Sequence, residues 1–186
     1  MKSKRNIAII GAVILLGILL FISMSKLLEA RDHSENRARN YKKSILRELE
    51  GQSLPSLELL LPDSLTYLNI TNRLSNKPIV LFYFGPDCPY CHAEISEIIK
   101  EIDKLKNIQF YIFTAYPFDQ MKKFHENFRL SNYPNIITGY DYKFGFLEYF
   151  KIQTVPGIAI YGKDGRLKGT FTENIDYKQI LDLSKK

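Results

Sequence analysis

The spacing of hydrophobic positions changes along the chain and predicts alternating strands and helices. Ile79–Phe84 is an uninterrupted apolar run rich in β-branched and aromatic side chains, which indicates a strand buried on both faces. After Gly85-Pro86-Asp87 the apolar positions follow one helical stripe, consisting of Ile95, Ile98, Ile99, Ile102 and Leu105. Ile108–Thr114 then predicts another strand. Together these segments predict a right-handed βαβ unit.

Three further helices and two hairpins complete the predicted domain. The helices are Phe118–Leu130, Lys143–Phe150 and Tyr177–Leu183. One hairpin joins Gly157–Tyr161 to Leu167–Thr172 across Gly162-Lys163-Asp164-Gly165, and another joins Ser56–Leu60 to Leu65–Ile70 across Pro62-Asp63. We therefore expect an α/β domain over residues 56–186, in which a four- or five-stranded mixed sheet has helices on both faces and an N-terminal hairpin.

The first 24 residues have the pattern of a membrane anchor. Ile7–Met24 contains no charged residue, and Lys2, Lys4 and Arg5 precede it. A cleaved signal peptide has the same basic start and apolar run, although Ser23-Met24-Ser25 is a poor cleavage site. A buried core helix is the third alternative. Residues 25–55 are polar and highly charged and predict a stalk.

The net charge of +6 is unevenly distributed. Residues 1–55 contain ten Lys and Arg against five Asp and Glu, whereas residues 56–186 contain sixteen against fifteen. The basic excess therefore suits a stalk near anionic lipid, and we expect no nucleic-acid partner. Basic residues after the span outnumber those before it, which by itself would place the domain inside the cell. The start nevertheless resembles an export signal, so we expect the domain on the extracytoplasmic side, periplasmic or external.

Only two cysteines are present, in Cys88-Pro89-Tyr90-Cys91. A disulfide across so small a loop would contribute little stability, and a structural zinc site needs four ligands where only His92 lies beside the pair. A redox role fits better, because Cys88 falls between a strand and a helix N-terminus, which stabilises a thiolate. We expect Cys88 to be the attacking sulfur and Cys91 the less exposed resolving sulfur. Metal binding and an inert pair remain alternatives.

Residues 56–186 resemble the thioredoxin superfamily. Two features are similar: a C-x-x-C sequence between a buried strand and a helix, and Thr154-Val155-Pro156 before a hairpin strand, where this superfamily has a cis-proline that faces the disulfide. An ordinary trans-proline is the alternative at Pro156. Pro-Tyr between the cysteines also resembles glutaredoxin. The 68 positions between Cys88 and Pro156, the hairpin, the anchor and Glu94 are more similar to the TlpA/ResA branch of bacterial membrane-tethered proteins.

The resemblance implies a role for each matching residue. Cys88 and Cys91 become the redox pair, and Glu94 becomes an acid near the disulfide, with an exposed helix glutamate as the alternative. Substrate contacts are expected from Pro156, Val155 and Tyr90. Two positions depart from the family pattern: Asp87 stands where a Trp is usual, and Phe82 stands where thioredoxin itself has a buried Asp.

The expected reaction is dithiol–disulfide exchange with protein or peptide partners, without a bound cofactor. We expect the reducing direction, with a membrane electron donor to recharge the pair, because the carboxylates of Asp87 and Glu94 disfavour a thiolate nearby. A metal- or haem-assembly chaperone on the same fold, and a binding module with incidental cysteines, remain the alternatives.

Overall fold

The computed structural model describes residues 17–18, 20–33, 48–73, 76–152 and 154–186. The chain divides into two units, residues 1–44 and residues 45–186. In the first unit residues 20–33 are helical, and no helix within the described residues is long and apolar enough to cross a membrane. Most of the predicted anchor Ile7–Met24, namely residues 7–16 and 19, lies outside the described residues, as do stalk residues 34–47.

Seven strands from the described residues of the second unit form one mixed sheet. They are β1 (Glu58–Leu60), β2 (Tyr67–Asn69), β3 (Ile79–Tyr83), β4 (Gln109–Thr114), β5 (Ile136–Tyr140), β6 (Gly157–Tyr161) and β7 (Leu167–Phe171). Their order is β2-β1-β5-β4-β3-β6-β7. The strands β3, β4 and β5 run parallel, and every other neighbouring pair is antiparallel. The predicted mixed sheet is confirmed.

Four α-helices pack around this sheet within the described part of the second unit. They are α1 (Pro89–Lys100), α2 (Phe118–Asn127), α3 (Gly145–Phe150) and α4 (Tyr177–Ser184). Side chains of α1, α2 and α4 fill one hydrophobic core, and those of α3 fill a second core with the N-terminal hairpin. Alternate residues of β3 enter the two cores, which explains why all five are buried and apolar. The expected helices on both faces are confirmed.

The structure differs from the sequence-based expectation at several element ends. The predicted helix Phe118–Leu130 ends at Asn127, and Leu130 begins a short 3-10 helix after Arg129, whose φ is 48°. The helix predicted from Lys143 begins at Gly145, because Phe144 is also left-handed, with a φ of 56°. The left-handed residue Arg129 thus follows the end of α2, and the left-handed residue Phe144 precedes the start of α3. The pattern of apolar side chains alone does not reveal either boundary.

The strand β5 was not predicted as a separate element, and it links the hairpin to the sheet. Leu60 of β1 pairs with Tyr140 of β5, so the predicted N-terminal hairpin extends the main sheet and brings it to seven strands. The helix α2 and the strand β5 lie in the interval between Cys88 and Pro156, where the sequence has room for an additional helix and strand. Two polar or flexible residues, Thr138 and Gly139, weaken the strand pattern of β5.

Candidate active site

Cys88 immediately precedes α1 and caps its N-terminus. Its Sγ accepts a hydrogen bond from the backbone N–H of Cys91 at 3.3 Å, and its carbonyl accepts one from the N–H of His92 at 3.1 Å. Pro89 occupies the first turn, where a missing N–H costs nothing. The sulfur therefore lies where unpaired backbone N–H groups and the helix dipole stabilise a negative charge. Cys88 remains partly exposed.

Cys91 lies one turn into α1 and is fully buried. Burial raises the pKa of its thiol well above the usual range, and the hydrogen bond with Cys88 and the negative charge of Glu94 raise the pKa further. Both cysteines carry free thiols in the structure. Cys88 is thus accessible whereas Cys91 is buried, which is the difference in access expected between an attacking and a resolving sulfur.

The loop between α3 and β6 approaches Cys88 from another part of the chain. The thiol of Cys88 donates a hydrogen bond to the carbonyl oxygen of Val155 at 3.7 Å, and the Val155–Pro156 peptide bond is cis, as the resemblance implies. Gly85 makes room for this approach, because a Cβ there would lie 3.0 Å from Cγ2 of Val155 and 3.4 Å from Cβ of Cys88. Pro156 is buried, Val155 is partly buried, and the Tyr90 side chain is exposed.

Glu94 is buried, with only 2% of its surface exposed, so the alternative of an exposed helix glutamate is wrong. Its Oε2 accepts a hydrogen bond from the backbone N–H of Ile175 at 3.1 Å. Burial raises the pKa of Glu94 to about 7, the charge of Glu97 adds to this effect, and the hydrogen bond from Ile175 opposes it. The carboxyl group therefore changes its charge near neutral pH, close enough to Cys91 to raise the pKa of that thiol.

The segment that covers Glu94 also contacts the first turn of α1. Asn174 donates a hydrogen bond from Nδ2 to the carbonyl oxygen of Tyr90 at 3.1 Å. Ile175, the next residue, is buried in the same core as Cys91. These two contacts join residues 81 and 84 positions apart, which no local pattern in the sequence reveals.

His92 contacts the turn before Cys88. Its Nε2 lies 2.6 Å from the carbonyl oxygen of Pro86, and its ring packs edge-on against Phe124 and Phe128 of the α2 region. Sequence analysis considered His92 as a metal ligand, but within the described residues no group of three or more His, Cys, Asp and Glu side chains gathers at one point. The contacts show that His92 connects α1, the Pro86 turn and α2.

Two depressions are lined in part by neighbours of the cysteine pair. The first, which we call the apolar groove, has a volume of about 410 Å³ and is lined by Tyr83, Ala115, Tyr116, Pro117, Phe144, Leu147 and Val155. The second, the polar groove, has a volume of about 290 Å³ and is lined by Pro86, Asp87, His92, Gln120, Lys123, Phe124 and Asn127. Sequence analysis identified neither groove, because each is assembled from segments distant in the chain.

The two departures from the family pattern differ in their surroundings. Asp87 is exposed in the turn before Cys88 and lines the polar groove. Phe82 is fully buried in the middle of β3 and packs in the core that also contains Cys91. Among the acidic side chains near the pair, Glu94 is therefore the buried one.

Comparisons with known proteins agree with this fold. A family model described as a thioredoxin-like domain matches residues 68–183. No curated protein matches the chain in sequence. The solved thioredoxin domain of a thiol-disulfide oxidoreductase from Bacteroides vulgatus is 16% identical, with a TM-score of 0.60 over 73% of this chain and 98% of that chain.

Two structures from Mycobacterium tuberculosis are also similar. A secreted disulfide oxidoreductase is 16% identical, with a TM-score of 0.57 over 69% of this chain and 94% of that chain. DsbF, solved in mixed oxidised and reduced forms, is 15% identical, with a TM-score of 0.59 over 69% of this chain and 92% of that chain. At these identities the likeness shows a shared fold.

Proposed function

Because the chain belongs to the thioredoxin-like domain family, we propose that it exchanges thiols and disulfides with protein or peptide partners. One observation carries the proposal: a partly exposed Cys88 caps a helix N-terminus, and the buried thiol of Cys91 lies in the first turn of the same helix. An accessible sulfur at a helix N-terminus can attack a disulfide, and a protected sulfur one turn further along can resolve the product. The site requires no bound cofactor for this chemistry.

The proposed reaction has two steps. In the first, the Cys88 thiolate attacks one sulfur of a partner's disulfide, so a Cys88–partner S–S bond forms and the partner's own S–S bond breaks. The departing sulfur leaves as a thiolate and takes up a proton. In the second, the Cys91 sulfur attacks Sγ of Cys88, which forms the Cys88–Cys91 bond and releases the partner's first sulfur as a thiolate. Two electrons have then passed from this chain to the partner.

Glu94 is the proposed acceptor of the proton from Cys91. The Cys91 thiol must lose its proton before it can attack, although burial raises its pKa. Glu94 has a pKa raised to about 7, so near neutral pH a substantial fraction is ionised and able to take the proton. The buried pair would thus pass the proton locally while the substrate covers the site.

We further propose that the protein is a TlpA/ResA-type reductase. Residues 1–24 would anchor it in a membrane and residues 25–55 would form the stalk, with the domain at residues 56–186 on the extracytoplasmic side. The uncharged run from Ile7 supports the anchor, and the basic excess of residues 1–55 supports a stalk near anionic lipid. A membrane electron donor would supply two electrons to restore the Cys88 and Cys91 thiols after each turnover.

Reduction of insulin disulfides tests the proposed function. The purified full chain, first reduced with a dithiol and separated from it, should reduce insulin until its own thiols are consumed. The matched control is the double variant Cys88→Ser, Cys91→Ser, which should be inactive while it retains the far-ultraviolet circular dichroism of the wild type. An inactive wild-type chain with two titratable thiols, or an active double variant, would overturn the proposal.

A further inference from the structure

His92 binds the turn before Cys88 at two points. Its imidazole Nε2 lies 2.6 Å from the carbonyl oxygen of Pro86, and its backbone N–H donates a hydrogen bond to the carbonyl oxygen of Cys88 at 3.1 Å. A carbonyl oxygen only accepts hydrogen bonds, so Nε2 is the nitrogen that carries a proton and donates. One residue of α1 therefore holds the carbonyl groups on both sides of Asp87.

Aromatic side chains hold the imidazole in this orientation. The ring packs edge-on against Phe124 and Phe128, with distances of 5.4 Å and 5.3 Å between ring centroids. Phe124 in turn stacks at 3.9 Å on Phe84, the residue that precedes the turn, and both of these phenylalanines are buried. A side chain that is already confined by its neighbours loses little further freedom when it forms a hydrogen bond. The Nε2–H group of His92 is therefore preorganised to bind the Pro86 carbonyl.

The side-chain bond from His92 acts on the peptide unit at the centre of the turn. The turn is closed by a hydrogen bond from the N–H of Cys88 to the carbonyl oxygen of Gly85 at 3.1 Å. The peptide unit between Pro86 and Asp87 has two common orientations, which distinguish type I from type II turns. The φ of Asp87 is not positive, which excludes type II. In the opposite orientation the Pro86 carbonyl would turn away from His92, so the hydrogen bond favours the observed one.

The placement of the Cys88 sulfur depends on this turn. Its Sγ contacts the N–H of Cys91 at 3.3 Å and the carbonyl oxygen of Val155 at 3.7 Å. Sulfur is a weak hydrogen-bond donor and acceptor, so these two contacts alone do not fix the side chain. Reorientation of the central peptide unit changes the backbone that leads into Cys88 and reverses the peptide dipole before it. The capping position of the sulfur is therefore sensitive to the bond from His92.

We propose that His92 is a positioning residue for thiol–disulfide exchange: its Nε2–H bond to the Pro86 carbonyl holds the turn that keeps the Cys88 sulfur at the N-terminus of α1. The inference rests on the proposed function and adds to it a residue that acts through the turn. With the bond in place, the sulfur is partly exposed and accessible for attack on a disulfide. Without the bond the turn adopts other orientations as well, so fewer molecules present the sulfur in the reactive arrangement and the attack is slower.

Two substitutions separate the hydrogen bond of His92 from its aromatic packing. His92→Phe keeps a ring against Phe124 and Phe128 but lacks the N–H donor. His92→Gln loses the ring but keeps a donor, because the glutamine amide nitrogen is as many bonds from Cα as Nε2 of histidine. We expect His92→Phe to react at least about fivefold more slowly than the wild type, and His92→Gln to react within about twofold of it. A side chain that only packs would give the reverse order.

The rate constant is measured with the uncharged disulfide 4,4′-dithiodipyridine, in a Cys91→Ala background where Cys88 is the only thiol. Attack by the Cys88 thiolate breaks the S–S bond of the reagent and forms a mixed disulfide between Cys88 and one pyridine ring. The other sulfur leaves as a thiolate, takes up a proton and is detected as 4-thiopyridone. Phenylalanine and glutamine are both uncharged, so their comparison contains no change in side-chain charge. The control is His33→Phe, the same substitution at an exposed residue of the first unit, which should keep the wild-type rate.

The outcomes separate this inference from the proposed function. Wild-type reactivity in His92→Phe, or a His92→Gln chain as slow as His92→Phe, would overturn the role of His92 and leave insulin reduction by the wild type unaffected. Far-ultraviolet circular dichroism checks that each variant is folded. If His92→Phe does not fold, His92→Asn replaces it and should be equally slow, because its amide ends one bond closer to Cα and does not reach the Pro86 carbonyl. A wild-type chain that does not reduce insulin, while the variants react in the expected order, would overturn the proposed function and support the role of His92 in placing Cys88.

Discussion

The thiol of Cys88 donates a hydrogen bond to the backbone carbonyl of Val155 at 3.7 Å, across 67 positions of the chain. This contact joins the start of α1 to the loop before β6, and it places the Cys88 sulfur beside Val155, which lines the apolar groove. Cys91, three positions further along, lies on the buried side of the same helix. The asymmetry between the two sulfurs therefore follows from the fold and leads to the first prediction.

Cys88 should react with iodoacetamide much faster than Cys91, because Cys88 is partly exposed whereas Cys91 is buried and burial raises its pKa. Mass spectrometry of the reduced, briefly alkylated chain should find the label on Cys88. Cys91→Ala should accumulate mixed disulfides with partners, since the resolving sulfur is absent, and Cys88→Ala should form none. Preferential labelling of Cys91 would reverse the assignment.

Glu94 should make the protein less stable as the pH rises. Its pKa is raised from 4.5 to about 7 in the folded state, so the folded protein holds the proton more tightly than the unfolded chain. This contribution to stability is fully present below pH 4.5 and is lost as the pH rises through about 7. Relative to Glu94→Gln, the wild type should lose about 2–3 kcal/mol of unfolding free energy between pH 5 and pH 8.

Urea denaturation at these two pH values measures the effect of Glu94. The matched control is Glu126→Gln, which changes an exposed carboxylate on α2 and should follow the wild-type pH dependence. A Glu94→Gln protein whose stability changes with pH in parallel with the wild type would show that Glu94 titrates normally. Glu94→Gln should also slow the second exchange step, visible as a longer-lived mixed disulfide at pH 7.

Asp141→Ala should destabilise the domain by about 1–2 kcal/mol, because it removes the side-chain cap of α3 and leaves the N–H groups of Gly145 and Phe146 unpaired. Asp141→Asn keeps one acceptor oxygen and should cost less. The control Asp119→Ala removes an exposed carboxylate from the first turn of α2, and it should change stability by less than about 0.5 kcal/mol. Equal losses for Asp141→Ala and Asp119→Ala in urea denaturation would contradict the proposed cap.

If the protein is a reductase, its reduction potential should be about −270 mV. Asp87→Asn removes a negative charge next to Cys88, which favours the thiolate and the reduced form, so the potential should rise. Because Asp87 is exposed, solvent screens its charge and the rise should be less than about 20 mV. Equilibration with a glutathione redox buffer measures both values. A wild-type potential of about −120 mV would instead identify an oxidant and contradict the proposed direction.

The sequence by itself determines the features that depend on local pattern. The apolar run at Ile79–Phe84 predicts the buried centre of the sheet, because a strand covered on both faces needs apolar side chains at every position. The turn residues between β6 and β7 predict a hairpin through the conformational freedom of Gly165, whose φ is 68°. The same local pattern places Cys88 at the junction of β3 and α1, which is sufficient to recognise the cysteine pair as a redox candidate.

The tertiary structure alone decides which polar groups are buried and which distant segments meet. Glu94 has the sequence context of an ordinary helix glutamate, and only the segment at Ile175, 81 residues later, removes it from water and raises its pKa. The strand β5 is short and contains Thr138 and Gly139, so its composition does not predict a strand. Its hydrogen-bonded pairing with β4 and β1 identifies it as one. The apolar groove likewise depends on contacts between remote segments. The periodicity of a segment depends only on residues that are close in sequence within one element. Burial of a side chain and contacts between distant residues depend on how the elements pack together.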